Sequence, residues 1–197
     1  MKISRLLAGT ALALSMSSGA YAATMDGSFG GALLDPTTSL ALLAVGTDIG
    51  NSGALVTSTE AGSDYAGVGL TGQPVVMPTF TASNGNALSF SIAGYGAFSG
   101  TITLAAASGP NSSRTLDVYA LGTWTPEVPG AFDTFDPSAA SVTLTANQTG
   151  GSGSAISVSF TLSSPPAPPP IETPEPMSMA LFGLGLAGLG VAMRRRA

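Results

Sequence analysis

The chain has 197 residues, a formal charge of −5, 9% charged residues, no histidine and no cysteine. It therefore lacks the groups for a histidine-based triad, a thiol nucleophile, a thiolate metal site, a disulfide or lipid attachment through a thiol. Five of the six basic residues stand at the two ends, and the Arg114 that remains faces nine acids. That balance excludes nucleic acid and anionic lipid headgroups as partners of the interior, because lysine and arginine must neutralise their phosphates.

In chain order, Lys2 and Arg5 precede the apolar run Leu6 to Met16, and Ala20-Tyr21-Ala22 follows. A charged start, an apolar run and small residues at two alternate positions make a signal peptide over 1–22, with Ala20 and Ala22 read by the peptidase and cleavage after Ala22. Residues 23–164 then form one extracellular domain, long enough for a single sizeable core. Its acids are Asp26, Asp35, Asp48, Glu60, Asp64, Asp117, Glu127, Asp133 and Asp136.

The first apolar cluster of this domain, Thr38 to Val45, carries Leu40, Leu42, Leu43 and Val45 without a clean period. It fits a short helix or a strand buried on both faces, and a strand is the better match. Further on, Leu88, Phe90 and Ile92 alternate with Ser89 and Ser91, Ile102 and Leu104 with Thr101 and Thr103, and Val142 and Leu144 with Thr143 and Thr145. The clearest alternation runs from Ala155 to Ser163, with Ile156, Val158, Phe160 and Leu162 on one face and Ser157, Ser159 and Thr161 on the other. Strict alternation of this kind marks antiparallel strands with one wet face. Glycine- and asparagine-rich breaks such as Ser83-Asn84-Gly85-Asn86 and Thr149-Gly150-Gly151-Ser152-Gly153 supply turns. Between Glu127 and Ser138, prolines and two Phe-Asp steps predict a longer loop capping an end of the sheets. The expected fold is all-β, an antiparallel sandwich of jelly-roll type.

Threonine pairs recur as Thr57/Thr59, Thr79/Thr81, Thr101/Thr103, Thr123/Thr125 and Thr143/Thr145, at spacings of 22, 22, 22 and 20. Residues two apart in a strand share a face, so each pair presents two hydroxyls and two methyls together. Stacked one per coil in a β-solenoid, Thr79, Thr81, Thr101, Thr103, Thr123 and Thr125 would make a flat face for glycan or ice. In an antiparallel meander of two strands per repeat, the same spacing reflects topology alone. The residues around the pairs do not repeat, which favours the meander.

For catalysis only carboxylates remain. Asp133 and Asp136, beside Phe132 and Phe135 and downstream of Trp124, have the composition of a glycosidase acid and base with an aromatic platform. Loop acids are more often simply solvated. Calcium would suit loop aspartates, but no Asp-x-Asp-x-Asp-Gly run is present. No cofactor and no metal is expected. Asn111-Ser112-Ser113 and Asn147-Gln148-Thr149 match a glycosylation sequon.

After Ser164, the run Pro165-Pro166-Ala167-Pro168-Pro169-Pro170 ends the domain, since proline cannot donate to a ladder and favours polyproline II. Residues 165–173 are expected to be an extended spacer. Then come Pro174-Glu175-Pro176, seventeen apolar or small residues from Met177 to Met193, and Arg194-Arg195-Arg196. As a helix that run would rise roughly 25 Å at about 1.5 Å per residue, enough to cross the hydrocarbon core with little to spare. The three arginines hold the C-terminal end in the cytoplasm, so the domain lies outside.

The order of a Pro-Glu-Pro element, one transmembrane helix and a terminal arginine cluster over residues 174–197 resembles the sorting signal of PEP-CTERM proteins. The resemblance implies recognition of Pro174, Glu175 and Pro176 by an exosortase, a membrane-embedded transpeptidase of Gram-negative bacteria that make exopolysaccharide. It further implies export across the inner membrane, transient single-pass anchoring, and an end point at the cell surface or outside the cell. On this reading the protein is a non-enzymatic matrix component of biofilms, its partners being the exosortase and exopolysaccharide. A glycan- or ice-binding module and a carboxylate glycosidase are the alternatives.

Overall fold

The computed structural model describes residues 23–169. The signal peptide with Ala20 and Ala22, the Pro174 to Pro176 element, the apolar run and Arg194 to Arg196 lie outside the described residues. Within them are thirteen strands and no helix. The principal ones are β2 (Gly27–Leu34), β5 (Gly53–Thr59), β8 (Ala87–Ile92), β9 (Gly96–Ser108), β10 (Ser113–Pro126), β12 (Ser138–Thr149) and β13 (Ile156–Ser164). The short ones are β1 (Ala23–Thr24), β3 (Thr37–Thr38), β4 (Asp48–Gly50), β6 (Pro74–Val75), β7 (Phe80–Thr81) and β11 (Phe135–Asp136).

Eight of them make one antiparallel sheet in the order β6-β5-β2-β13-β12-β10-β9-β8. Its two edges meet, because Val76, just past β6, exchanges both backbone hydrogen bonds with Ser91 of β8, at 2.9 and 3.0 Å. The sheet is thus a nearly closed barrel, and this corrects the expected sandwich of two sheets. Eight strands enclose a space that side chains alone can fill. Closure stops at a single bridge for a local reason. Continuing the register sets Pro78 against Ser89, and proline has no N–H to give. The solenoid alternative is also overturned: its coils would stack in parallel, whereas every neighbouring pair in this sheet is antiparallel.

The alternation read from the sequence sorts residues between the inside and the outside of this barrel. Leu88, Phe90, Ile92, Ile102, Leu116, Val118, Val142, Leu144, Val158, Phe160 and Leu162 are buried inside. Their serine and threonine neighbours form the outer wall. Aromatic rings dominate the centre: Phe29 meets Trp124 at 5.6 Å and Phe90 meets Phe160 at 5.3 Å, between ring centroids. Glycines make room for them. A Cβ on Gly31 would lie 2.3 Å from Phe160 Cζ, so the ring of Phe160 occupies the volume that a side chain on β2 would need.

Loops stopper both ends. At one end, the connection after β5 brings in Tyr65 and the 127–137 loop brings in Phe132, their rings 5.6 Å apart and both buried. The expected capping role of that second loop is therefore met. At the opposite end, residues 39–47 form a loop, not the expected strand, and of its apolar residues Leu43 is fully buried while Leu40 and Val45 are exposed. The backbone of this loop is held by bonds at its ends, such as Gly46 N–H to the carbonyl of Ala82 at 2.8 Å, and in its middle by a side chain. The buried Gln148 of β12 accepts from Leu43 N–H at 3.0 Å and donates to the carbonyls of Ala41 at 2.9 Å and Ser154 at 3.1 Å. Arg114 adds a bond from Nε to Leu43 O at 3.2 Å and one from Nη1 to Gly109 O at 2.9 Å. A small three-stranded sheet, β3-β4-β7, flanks the barrel.

Candidate functional site

The part of the barrel nearest along the chain to the sorting segment is the rim where β2 begins and β13 ends, and here the two termini of the domain are tied together. Met25 N–H donates to Ser138 Oγ at 2.9 Å, and the Ser164 hydroxyl faces the carbonyls of Met25 at 2.9 Å and Ala139 at 3.0 Å. Ser138 and Ser164 are both buried, so these hydroxyls take the place of ladder partners where the strands run out. Ala23 and Thr24 add a parallel pairing with Phe135 and Asp136. An open cleft of about 330 Å³ lies between them, lined by Thr24, Met25, Asp26, Ser138, Ala139, Ser164 and Pro165. Nothing in the sequence marked Ser138 or Ser164 for this role; both sit at ends of alternating runs, and only the closure of the sheet brings them to Met25.

From Ser164 the chain turns back along the outer wall. Ala167 N–H donates to Ser141 Oγ at 2.9 Å, and Tyr119 OH donates to the carbonyl of Ala167. Tyr119 lies between the inward Val118 and Ala120, so it points outward, yet it is only 3% exposed. The proline segment covers it. A change of register at Tyr119 and Ala120 against β9 accompanies this placement.

The threonine pairs do not assemble. Thr101 and Thr103 on β9 and Thr123 and Thr125 on β10 are on adjacent strands, but Thr101 stands opposite Leu121 and Thr123 opposite Ser99. Thr143 and Thr145 stand opposite Tyr119 and Asp117. Thr81 belongs to the small sheet, where its hydroxyl donates to Asp48 Oδ1, and Thr79 precedes it. Thr59 pairs with Phe29 of β2. No two pairs share a register, and the pairs of β9, β10 and β12 sit on neighbouring strands, so here the repeat is one long strand and its connection, not the expected two strands.

A different hydroxyl array does form, on β10, β12 and β13. Thr115, Asn147 and Ser157 make one cross-strand row, and Asp117, Thr145 and Ser159 the next. Thr115 donates to Asn147 Oδ1 at 3.0 Å and Thr145 to Asp117 Oδ1 at 2.8 Å. The array escaped the sequence reading because Ser157 and Ser159 do not belong to any Thr-x-Thr pair; alternation alone carried the signal.

Of the carboxylates singled out for hydrolysis, Asp133 and Asp136 are exposed in the capping loop, whereas Trp124 and Phe132 are buried in the core. Neither ring offers a stacking face beside them. Among the described residues no group of three or more acids converges as a metal site would require.

In comparisons with known proteins, no curated protein and no solved structure matches this chain. The family model of the PEP-CTERM protein-sorting motif matches residues 172–196, which include Pro174, Glu175, Pro176 and Arg194 to Arg196, and the C-terminal tail of this chain is therefore a PEP-CTERM sorting motif, which implies export and recognition by an exosortase.

Proposed function

We propose that the protein is a non-enzymatic component of the extracellular matrix of a Gram-negative bacterium, a stable barrel delivered by its tail and associated with exopolysaccharide. The observation that carries this reading is the match of residues 172–196 to the sorting motif. The barrel fits a scaffold role in that its interior is filled by aromatic and aliphatic side chains. Its polarity, apolar within and hydroxyl-rich without, is the inverse of a barrel that spans an outer membrane. The apolar run and the arginines hold the exported chain at the inner membrane until the tail is processed at the Pro174 to Pro176 element, after the signal peptide has been removed.

Mass spectrometry of the extracellular form tests the processing step. The expected result is a mature protein that lacks the apolar run; an intact peptide spanning Pro176 to Met193 in that form would refute it.

A glycan-contact role is favoured over an inert one by the rows Thr115/Asn147/Ser157 and Asp117/Thr145/Ser159, because adjacent hydroxyls, an amide and a carboxylate on the outer wall match the polar edge of a sugar. Retention of the protein on the host's own polysaccharide, lost in a Thr145→Val, Ser159→Val double variant, is the expected outcome; equal retention of the two proteins removes this role.

A further inference from the structure

The proline segment is a strap and not the free spacer that its composition suggests. Three features define it. Its root is fixed, since Ser164 is bonded at the rim to Met25 and Ala139. Its middle is held through both backbone groups of one residue, with Ala167 N–H on Ser141 Oγ and Tyr119 OH on the Ala167 carbonyl. Its footprint lies on β10 and β12, not on the strand from which it emerges, and it buries an outward tyrosine that has no place in the core cluster.

The placement of β13 makes this strap conditional on folding. β13 is the last strand of the chain, yet it lies between β2 and β12 and pairs with both. A chain exported from its N-terminus forward cannot complete the barrel until β13 has emerged. Only then does Ser164 reach Met25, and only then is the strap root positioned over Ser141 and Tyr119.

We infer that the Pro165 to Pro169 strap is a fold-dependent clamp that restrains the sorting segment, and that the exosortase acts on the undocked form. The inference rests on the reading of the tail as a processed sorting signal. Chain geometry supplies the lever. From Ala167 to Pro174 is seven residues and from Ser164 it is ten, so undocking raises the greatest reach from about 25 Å to about 36 Å at about 3.6 Å per residue. The difference separates a bulky barrel from a membrane-embedded enzyme by about 11 Å more chain.

Three variants of the full-length protein test the clamp. Ser141→Ala and Tyr119→Phe each remove one of the two bonds to Ala167, and one net hydrogen bond shifts an equilibrium by about fivefold. Ala167→Pro removes the same N–H without touching the barrel, in a segment whose extended conformation proline already favours. In detergent-solubilised protein, amide exchange at Ala167 is expected to accelerate by about fivefold in Ser141→Ala and Tyr119→Phe. In the native host, pulse-chase labelling is expected to show conversion to the processed form accelerated by two- to fivefold, or about that, in all three. Thermal denaturation of each variant reports whether its barrel has folded, and Ala167→Pro keeps the test open if either wall variant fails. An Ala167 amide equally protected in Ser141→Ala and wild type overturns the clamp, as does unchanged or slower processing in variants that have lost protection. A Glu175→Ala control separates the two readings. If it leaves processing intact, the sorting interpretation fails; if it blocks processing while the strap variants behave as wild type, the clamp alone fails.

Discussion

Tyr65→Phe isolates one buried group and gives a result of calculable size. Tyr65 is wholly buried, 5.2 Å from the ring of Phe29 and 6.2 Å from that of Trp124. Its hydroxyl has no hydrogen-bond partner, and the Ser164 hydroxyl beside it is engaged with the carbonyls of Met25 and Ala139. Burial first, and the nearby Asp64 charge to a lesser degree, push its phenol well above the ordinary tyrosine value. The sign of the pH effect follows. Below about pH 10 the phenol is neutral whether the chain is folded or not, so the contribution to stability is fully present. Above that pH the unfolded chain ionises and the folded one does not, so stability falls by up to about 1.4 kcal/mol per pH unit. Between pH 9 and pH 11 the integrated loss is about 1.3 kcal/mol. Phenylalanine has nothing to ionise and no unpaired hydroxyl to desolvate, so Tyr65→Phe should match or exceed wild-type stability at pH 8 by up to about 1 kcal/mol.

Urea denaturation of both proteins at pH 8, 9, 10 and 11 reads this directly. Tyr95 and Tyr119 are common to the two and cancel in the difference. The gap in favour of phenylalanine should widen by about 1.3 kcal/mol from pH 9 to pH 11. A gap independent of pH would show that the phenol titrates alike in both states, contrary to its burial. A variant less stable by 1–3 kcal/mol or so at pH 8 would show that the hydroxyl is paired after all.

Two further outcomes follow from the packing. Gln148→Ala removes three bonds to the 39–47 loop and the 154 carbonyl and strands buried backbone groups, so a loss of about 3 kcal/mol is expected in thermal or urea denaturation, with faster amide exchange at Leu43. Gly122→Ala places a Cβ 2.2 Å from Ser99 O and 2.5 Å from Gly100 Cα, both backbone, and is expected to cost at least about 1–3 kcal/mol, whereas Gly53→Ala, whose Cβ would meet only Leu34 Cδ1 at 3.9 Å, should stay within about 1 kcal/mol of wild type.

The strands themselves were legible because each signal was local. Val158, Phe160 and Leu162 are inside while Ser157, Ser159 and Thr161 are outside, as their alternation requires. Closure of the sheet was not legible, because a sandwich and a barrel both give each strand one wet face. What distinguishes them is the pairing of β2 with β13, a contact between strands more than a hundred residues apart, and the Val76–Ser91 bridge. The leucines of 38–45 misled for a related reason. Only Leu43 of them is buried, its backbone held by Gln148, a polar residue 105 positions away that no apolar period announces. The Thr-x-Thr spacing is real but records the length of one long strand and its connection, since antiparallel pairing sends successive pairs in opposite directions and out of register.

Charge narrows what the outer wall can meet. Arg114 is the sole basic residue between Ala23 and Pro169, and its Nε and Nη1 are committed to the carbonyls of Leu43 and Gly109. The side chains that line the array on β10, β12 and β13 are hydroxyls, an amide and the Asp117 carboxylate. A polysaccharide rich in carboxylate or phosphate would meet repulsion there with no cation to offset it, since the nine acids of the domain face a single base. On the proposed glycan-contact role, this wall should therefore favour neutral sugars, bonded through hydroxyls, with retention that persists when salt is raised, whereas an anionic polymer would approach only as salt screens the repulsion. On the proposed matrix role, the charge of the barrel limits which component of that matrix it can touch.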